Sequence, residues 1–90
     1  MVQIVVTIKN PTGLHARPAA AFVQAAERFK ADIWIEKEGR RVNAKSILSV
    51  MSLGAKQGTT LEIVADGEDE DMAVATLRDL IDGGLGEIAG

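Results

Sequence analysis

The 90-residue sequence contains no cysteine, so neither disulfides nor thiolate metal sites can hold it together. A small domain without them rests on packing alone, which suits a reducing, cytoplasmic setting. Aromatic residues make up only 3% of the chain, against 47% hydrophobic residues overall. The core of this one small domain is therefore aliphatic. No apolar run approaches the roughly 20 residues that span a bilayer. The alternation of Val2, Ile4, Val6 and Ile8 with polar residues is a strand pattern rather than a signal-peptide core. The net charge is −3, without the positive excess of a non-specific nucleic-acid binder. Partners are expected to be proteins. Metal-ligand spacings, glycine-rich nucleotide loops and paired catalytic carboxylates are all missing, so no metal or cofactor is expected.

What is present is a regular succession of periodic segments. Val2 to Lys9 reads as a strand with Val5 alone on its opposite face, and Asn10-Pro11-Thr12-Gly13 as a loop. Ala19, Phe22, Val23, Ala26 and Phe29 recur at offsets of three and four, predicting a helix over 16–29 with one apolar stripe. Asp32 to Glu38 alternates with Ile33 and Ile35 inward and Trp34 and Glu36 outward. A hairpin turn at 37–40, with Gly39 where positive φ is needed, leads to a short strand over 40–43. Ser46 is placed to cap a short helix over 46–53, with Gly54 near its end. Leu61, Ile63 and Ala65 mark a strand over 59–65. The acidic run 66–71 suits the start of a last helix, whose core stripe is Ala73, Leu77, Leu80 and Ile81. Gly83-Gly84 ends it and leaves a loose tail to position 90. The order βαββαβα predicts an α+β fold, an antiparallel sheet with helices on one face.

The chain's only histidine stands in Gly13-Leu14-His15-Ala16-Arg17-Pro18-Ala19. Gly13 permits positive φ and a close approach of the chain. Pro18 fits a first helical turn, where backbone N–H groups lack partners anyway. His15 thus falls at or near an N-cap, with the N–H groups of Ala16 and Arg17 pointing outward. Such a terminus attracts anions and disfavours imidazolium, so the ring is expected to stay nucleophilic. A guanidinium two residues on offers a planar fork of donors for phosphate oxygens. A cation is slightly unfavourable in a first helical turn, which hints at a role for Arg17. The residues point to a phosphoryl group carried on the imidazole.

This heptad resembles the active-site signature of HPr, the histidine-containing phosphocarrier of the bacterial sugar phosphotransferase system. A second stretch, Lys45-Ser46-Ile47 with Val50-Met51-Ser52-Leu53, resembles that family's regulatory serine region. The resemblance covers essentially the whole chain. It implies an open-faced β-sandwich of strand order 1-4-2-3, with three helices on one face. It also implies phosphorylation of His15, at the Nδ1 nitrogen in this family, and charge stabilisation by Arg17. The carrier would be modified in every cycle rather than turn over as an enzyme. Enzyme I would be the donor and IIA domains of sugar permeases the acceptors. HPr kinase/phosphorylase and a catabolite-control transcription regulator would be further partners. The carrier is expected to be a cytoplasmic monomer, binding no nucleic acid and entering no membrane.

Ser46 has two readings, an ordinary helix cap and a regulatory phosphorylation site. Phosphoserine at a helix N-terminus would stabilise the helix, so its effect would fall on partners. Leu14, Ala20, Ile47, Leu48 and Met51 are expected to form an exposed apolar docking patch beside His15 and Ser46. Ala20 stands where the family often has a small hydroxyl residue. Lys37, Arg40, Arg41 and Lys45 form a basic cluster, read as a solvated rim or part of a docking surface. Three rivals to the sugar-branch carrier are a nitrogen-branch paralogue, a regulatory module acting through phospho-Ser46, and a hydrolase using His15 as base. No second catalytic group supports the last of these.

Overall fold

Val2–Thr7 form β1 (the first strand), turning Val6 inward and leaving Val5 exposed. The computed structural model, which describes residues 1–87, continues with α1 (Ala16–Glu27), β2 (Asp32–Lys37), β3 (Arg40–Asn43), α2 (Ile47–Met51), β4 (Thr60–Asp66) and α3 (Glu70–Asp82). The four strands form one antiparallel sheet in the order β1-β4-β2-β3. Central β4 sets Ile63 opposite both Ile4 and Ile35, and these side chains face the helices. Phe22, Val23, Leu77 and Ile81 meet them from α1 and α3. The α+β open-faced sandwich thus encloses a mainly aliphatic layer between sheet and helices, with Phe22 its fully buried aromatic residue. Among the described residues no helix is long and apolar enough to cross a membrane.

The open face is lined differently. Val64 is fully buried although it belongs to the face away from the helices. Its register partners are Gln3 and Trp34, so cross-strand neighbours shield it. The Arg41 guanidinium lies 5.9 Å from the centre of the Trp34 ring and its Nε donates to Glu36 at 3.0 Å.

Several boundaries fall short of the periodic segments. β1 stops at Thr7 rather than Lys9, although Ile8 still exchanges backbone bonds with the β4 approach, at Thr59 and Gly58. Helix α1 stops at Glu27 because Arg28 and Phe29 donate to the carbonyls three residues back, a tighter turn. Helix α2 spans five residues instead of eight, ending where Leu53 and Gly54 likewise donate three back. At the hairpin, Glu38 as well as Gly39 has positive φ, 50° and 82°. Both central residues of a type I′ turn need it.

The acidic run departs furthest from its expected role. Asp66 ends β4, and Asp69 occupies the N-cap of α3 without a capping bond from its side chain. The Asp69 carboxylate instead accepts from the backbone N–H groups of Lys30 and Ala31, both at 2.8 Å. It latches α3 to the turn between α1 and β2. Those N–H groups, Lys30 foremost, hold its pKa below the ordinary 3.8. A depressed carboxylate contributes stability that is present above its unfolded pKa and lost as pH falls through the folded one. Asp69→Asn is therefore expected to melt below the wild type at neutral pH, with the gap closing in acid. Equal melting temperatures at neutral pH would show that the latch adds nothing.

The basic cluster is structural as well. Lys37 Nζ donates to the Leu53 carbonyl at 3.0 Å, and Arg40 to the carbonyl and hydroxyl of Ser52. These cations satisfy carbonyls beyond the C-terminus of α2. Lys45 Nζ does the same for Phe29 after α1, at 2.8 Å. The rim is held in place rather than freely solvated.

Candidate functional site around His15

The approach to α1 is a loop with little freedom. Gly13 has φ +66°, and a Cβ there would stand 2.3 Å from the Ala55 carbonyl oxygen. That closeness lets the Leu14 N–H donate to the same oxygen at 3.0 Å. Across the loop, the Asn10 amide nitrogen donates to the Gly13 carbonyl at 2.8 Å and to Glu87 at 2.7 Å. Asn10 is the one buried polar residue of the described chain, 1% exposed. Its Oδ1 has no partner among the described residues. Flipping the amide would aim that oxygen at a carbonyl and a carboxylate, so the donors dictate the orientation.

His15 follows at the N-cap of α1, exposed, with extended backbone and no capping bond from its side chain. The first intrahelical bond runs from the Ala19 N–H to the His15 carbonyl, at 2.8 Å. Ala16 and Arg17 thus keep N–H groups without intrahelical partners, and Pro18 has none to satisfy. An imidazole that does no capping remains available for chemistry. Ala16 and Arg17 are exposed beside it, and the Arg17 side chain makes no hydrogen bond or ion pair among the described residues. A nucleophile, two backbone donors and a guanidinium occupy one helix terminus. That combination fits a phosphoryl group bound covalently to the ring.

A cleft of about 290 Å³ opens next to His15, lined by Thr12, Leu14, Met51, Gly54, Ala55 and Lys56. A larger groove of about 370 Å³ between α1 and α3 meets Ala21, Gln24, Ala25, Arg28 and Leu80. It holds no nucleophile. The candidate nucleophile His15 borders the smaller cleft.

The docking patch divides. Leu14 is only 4% exposed and belongs to the core, because the turn at Gly13 directs it under the loop. It is not a surface residue, contrary to the sequence reading. Ala20 is half-buried. On α2 the apolar residues separate by face. Val50 and the following Leu53 point inward, Met51 is partly buried, and Ile47 and Leu48 are 41% and 80% exposed. Met51 joins this surface to the His15 cleft. Ser46 caps α2 as expected, its hydroxyl accepting from the Ser49 N–H at 3.3 Å.

Glu87 escaped the sequence reading, which took everything after Gly84 as a loose tail. Leu85 is 3% exposed and Glu87 is hydrogen-bonded to the His15 loop; positions 88–90 lie outside the described residues. The only local signal was the glycine pair, which allows the chain to double back. Hydrogen bonds from Asn10 first, then Thr12, hold the Glu87 carboxyl below its ordinary pKa, with the nearby Arg17 charge adding to this.

A family model described as the phosphorylation site of the HPr component of the phosphotransferase system matches residues 2–82. The HPr-like protein Crh of Bacillus subtilis (strain 168) is 52% identical over 77 residues, 86% of this chain and 91% of that protein. Its crystal structure, described as a catabolite repression protein and a dimer with a swapped domain, superposes with a TM-score of 0.76 at 46% identity, covering 97% of this chain and all of that one. The phosphocarrier protein HPr of Neisseria meningitidis serogroup A is 46% identical over 82 residues, 91% of this chain and 92% of that protein. The crystal structure of an HPr from Thermoanaerobacter tengcongensis is 50% identical with a TM-score of 0.95, over 99% of this chain and 100% of that one.

Proposed function

The chain belongs to the HPr family of phosphotransferase-system phosphocarriers, and we propose that it takes a phosphoryl group from enzyme I on His15 and passes it to IIA domains of sugar permeases. The observation that carries this reading is an exposed imidazole on an uncapped helix N-terminus beside Arg17. One ring nitrogen attacks phosphorus, the N–P bond forms, and the donor's bond to phosphorus breaks. The ring proton stays on the other nitrogen. The Ala16 and Arg17 N–H groups and the Arg17 guanidinium then meet the phosphoryl oxygens, whose charge suits the positive end of the helix. Delivery is the same displacement on the acceptor's nucleophile. The protein is modified in each cycle and acts in the cytoplasm, without a bound cofactor. Ile47 and Leu48, exposed beside Met51, form the apolar contact for enzyme I and IIA domains, with Ala20 at its edge. Incubation with enzyme I and phosphoenolpyruvate tests the reading. One acid-labile phosphoryl group on His15 is expected, and a chain that stays unlabelled is not this carrier.

Similarity to Crh and the exposed position of α2 favour a second role, regulation through Ser46 by an HPr kinase/phosphorylase, read by a catabolite-control regulator. Capping and regulation separate by substitution. Ser46→Ala removes the 3.3 Å capping bond and should cost about 0.5–2 kcal/mol of stability, with normal phosphoryl acceptance by folded protein. Ser46→Asp keeps a cap and adds charge favourable to the helix, so stability should hold. Its charge beside Ile47 and Leu48 should slow labelling of His15 by enzyme I. An aspartate variant labelled at the wild-type rate would leave Ser46 as a cap only.

A further inference from the structure

We propose that Glu87 is a positioning residue for phosphoryl transfer, its carboxylate holding the loop that presents His15 through Asn10 and Thr12. The inference rests on His15 being the phosphoryl acceptor. The carboxylate gathers most of the loop's donors. Oε1 accepts from Asn10 Nδ2 at 2.7 Å, from the Thr12 hydroxyl at 2.8 Å and from the Thr12 N–H at 3.3 Å, while Oε2 lies 2.9 Å from that hydroxyl.

The base of this clamp is itself fixed. Leu85 is buried with its N–H on the Leu80 carbonyl, and the Glu87 N–H donates to Gly84. The loop is therefore gripped from two sides, by the Ala55 carbonyl on Leu14 and by Glu87 on Asn10 and Thr12. His15 is one residue past the first grip and three past Thr12. Removing Glu87 would leave the buried Asn10 amide only the Gly13 carbonyl among the described residues. The loop and the imidazole at its end would then sample other positions. Displacements of about 1 Å at a reacting group slow transfer by up to about a hundredfold.

The test compares wild type, Glu87→Ala and Glu87→Gln in single-turnover transfer from phosphorylated enzyme I, corrected for folded fraction. Glutamine keeps an acceptor for Asn10 and Thr12 but loses the charge. We expect Glu87→Ala to lower the maximal rate about tenfold with KM little changed, and Glu87→Gln to recover most of it. Hydrogen exchange at the Gly13 and Leu14 amides should quicken in Glu87→Ala and return toward wild type in Glu87→Gln. A wild-type rate in Glu87→Ala overturns the proposal. So does a glutamine variant as slow as alanine, because charge rather than loop-holding would then be responsible. A change in KM alone would place Glu87 in docking and overturn it too. If wild-type protein is not labelled on His15, the carrier reading falls and this inference with it. If it is labelled and the variants match it, only this inference falls.

Discussion

His15→Ala is expected to accept no phosphoryl group from enzyme I while keeping its fold. The loss is complete because no other residue can replace it. His15 is the only histidine in the chain, and there is no cysteine. The fold survives because the ring is exposed and makes no capping bond. Its removal costs neither core packing nor a buried hydrogen bond, and surface changes of this kind lie within about 0.5 kcal/mol. The bond that starts α1 uses the backbone carbonyl of His15, which alanine retains. Phosphoenolpyruvate-dependent labelling and chemical denaturation of the same preparation check both halves. Acid-labile phosphate on a folded alanine variant would remove His15 from the mechanism.

Gly13→Ala should show the opposite pattern, damaging structure first and transfer as a consequence. The added Cβ would lie 2.3 Å from the Ala55 carbonyl oxygen and 2.8 Å from the Lys56 Cα. Both are backbone atoms, so no side chain can swing aside. A side chain at φ +66° also carries a conformational cost of about 1–2 kcal/mol. Relief requires the strand of contacts at Ala55 to move away, which breaks its hydrogen bond with Leu14 and opens the core beneath. The sum should be about 2–4 kcal/mol. Gly39→Ala is the control, because Gly39 has φ +82° but nothing within 4 Å of an added Cβ. It isolates the conformational cost from the clash. Denaturation curves should place Gly13→Ala well below Gly39→Ala, with slower labelling of His15 in the folded fraction. Equal stabilities would mean that the close approach of loop and Ala55 is unimportant.

The elements, their order and the candidate nucleophile were legible in the chain alone. Alternation at Val2, Ile4, Val6 and Ile8 and the stripe from Ala19 to Ala26 are read locally, because strand and helix geometry repeat within a few residues. The His15 terminus was legible for the same reason. Gly13, His15, Arg17 and Pro18 are neighbours in the chain, and helix ends are built from neighbours. Residues that act across the fold were decided only by tertiary structure. Asp69 reaches Lys30 and Ala31, 39 and 38 positions away, so a carboxylate that looked like a helix cap became a latch. Lys37 and Arg40 looked like a charged rim until the turn after α2 brought the Leu53 and Ser52 carbonyls to them. Leu14 reads as surface in a loop motif, yet the turn at Gly13 buries it. Glu87 meets Asn10 across 77 positions. Periodicity carries no trace of a single hydrogen bond between distant segments, because such a bond depends on where the whole chain has packed.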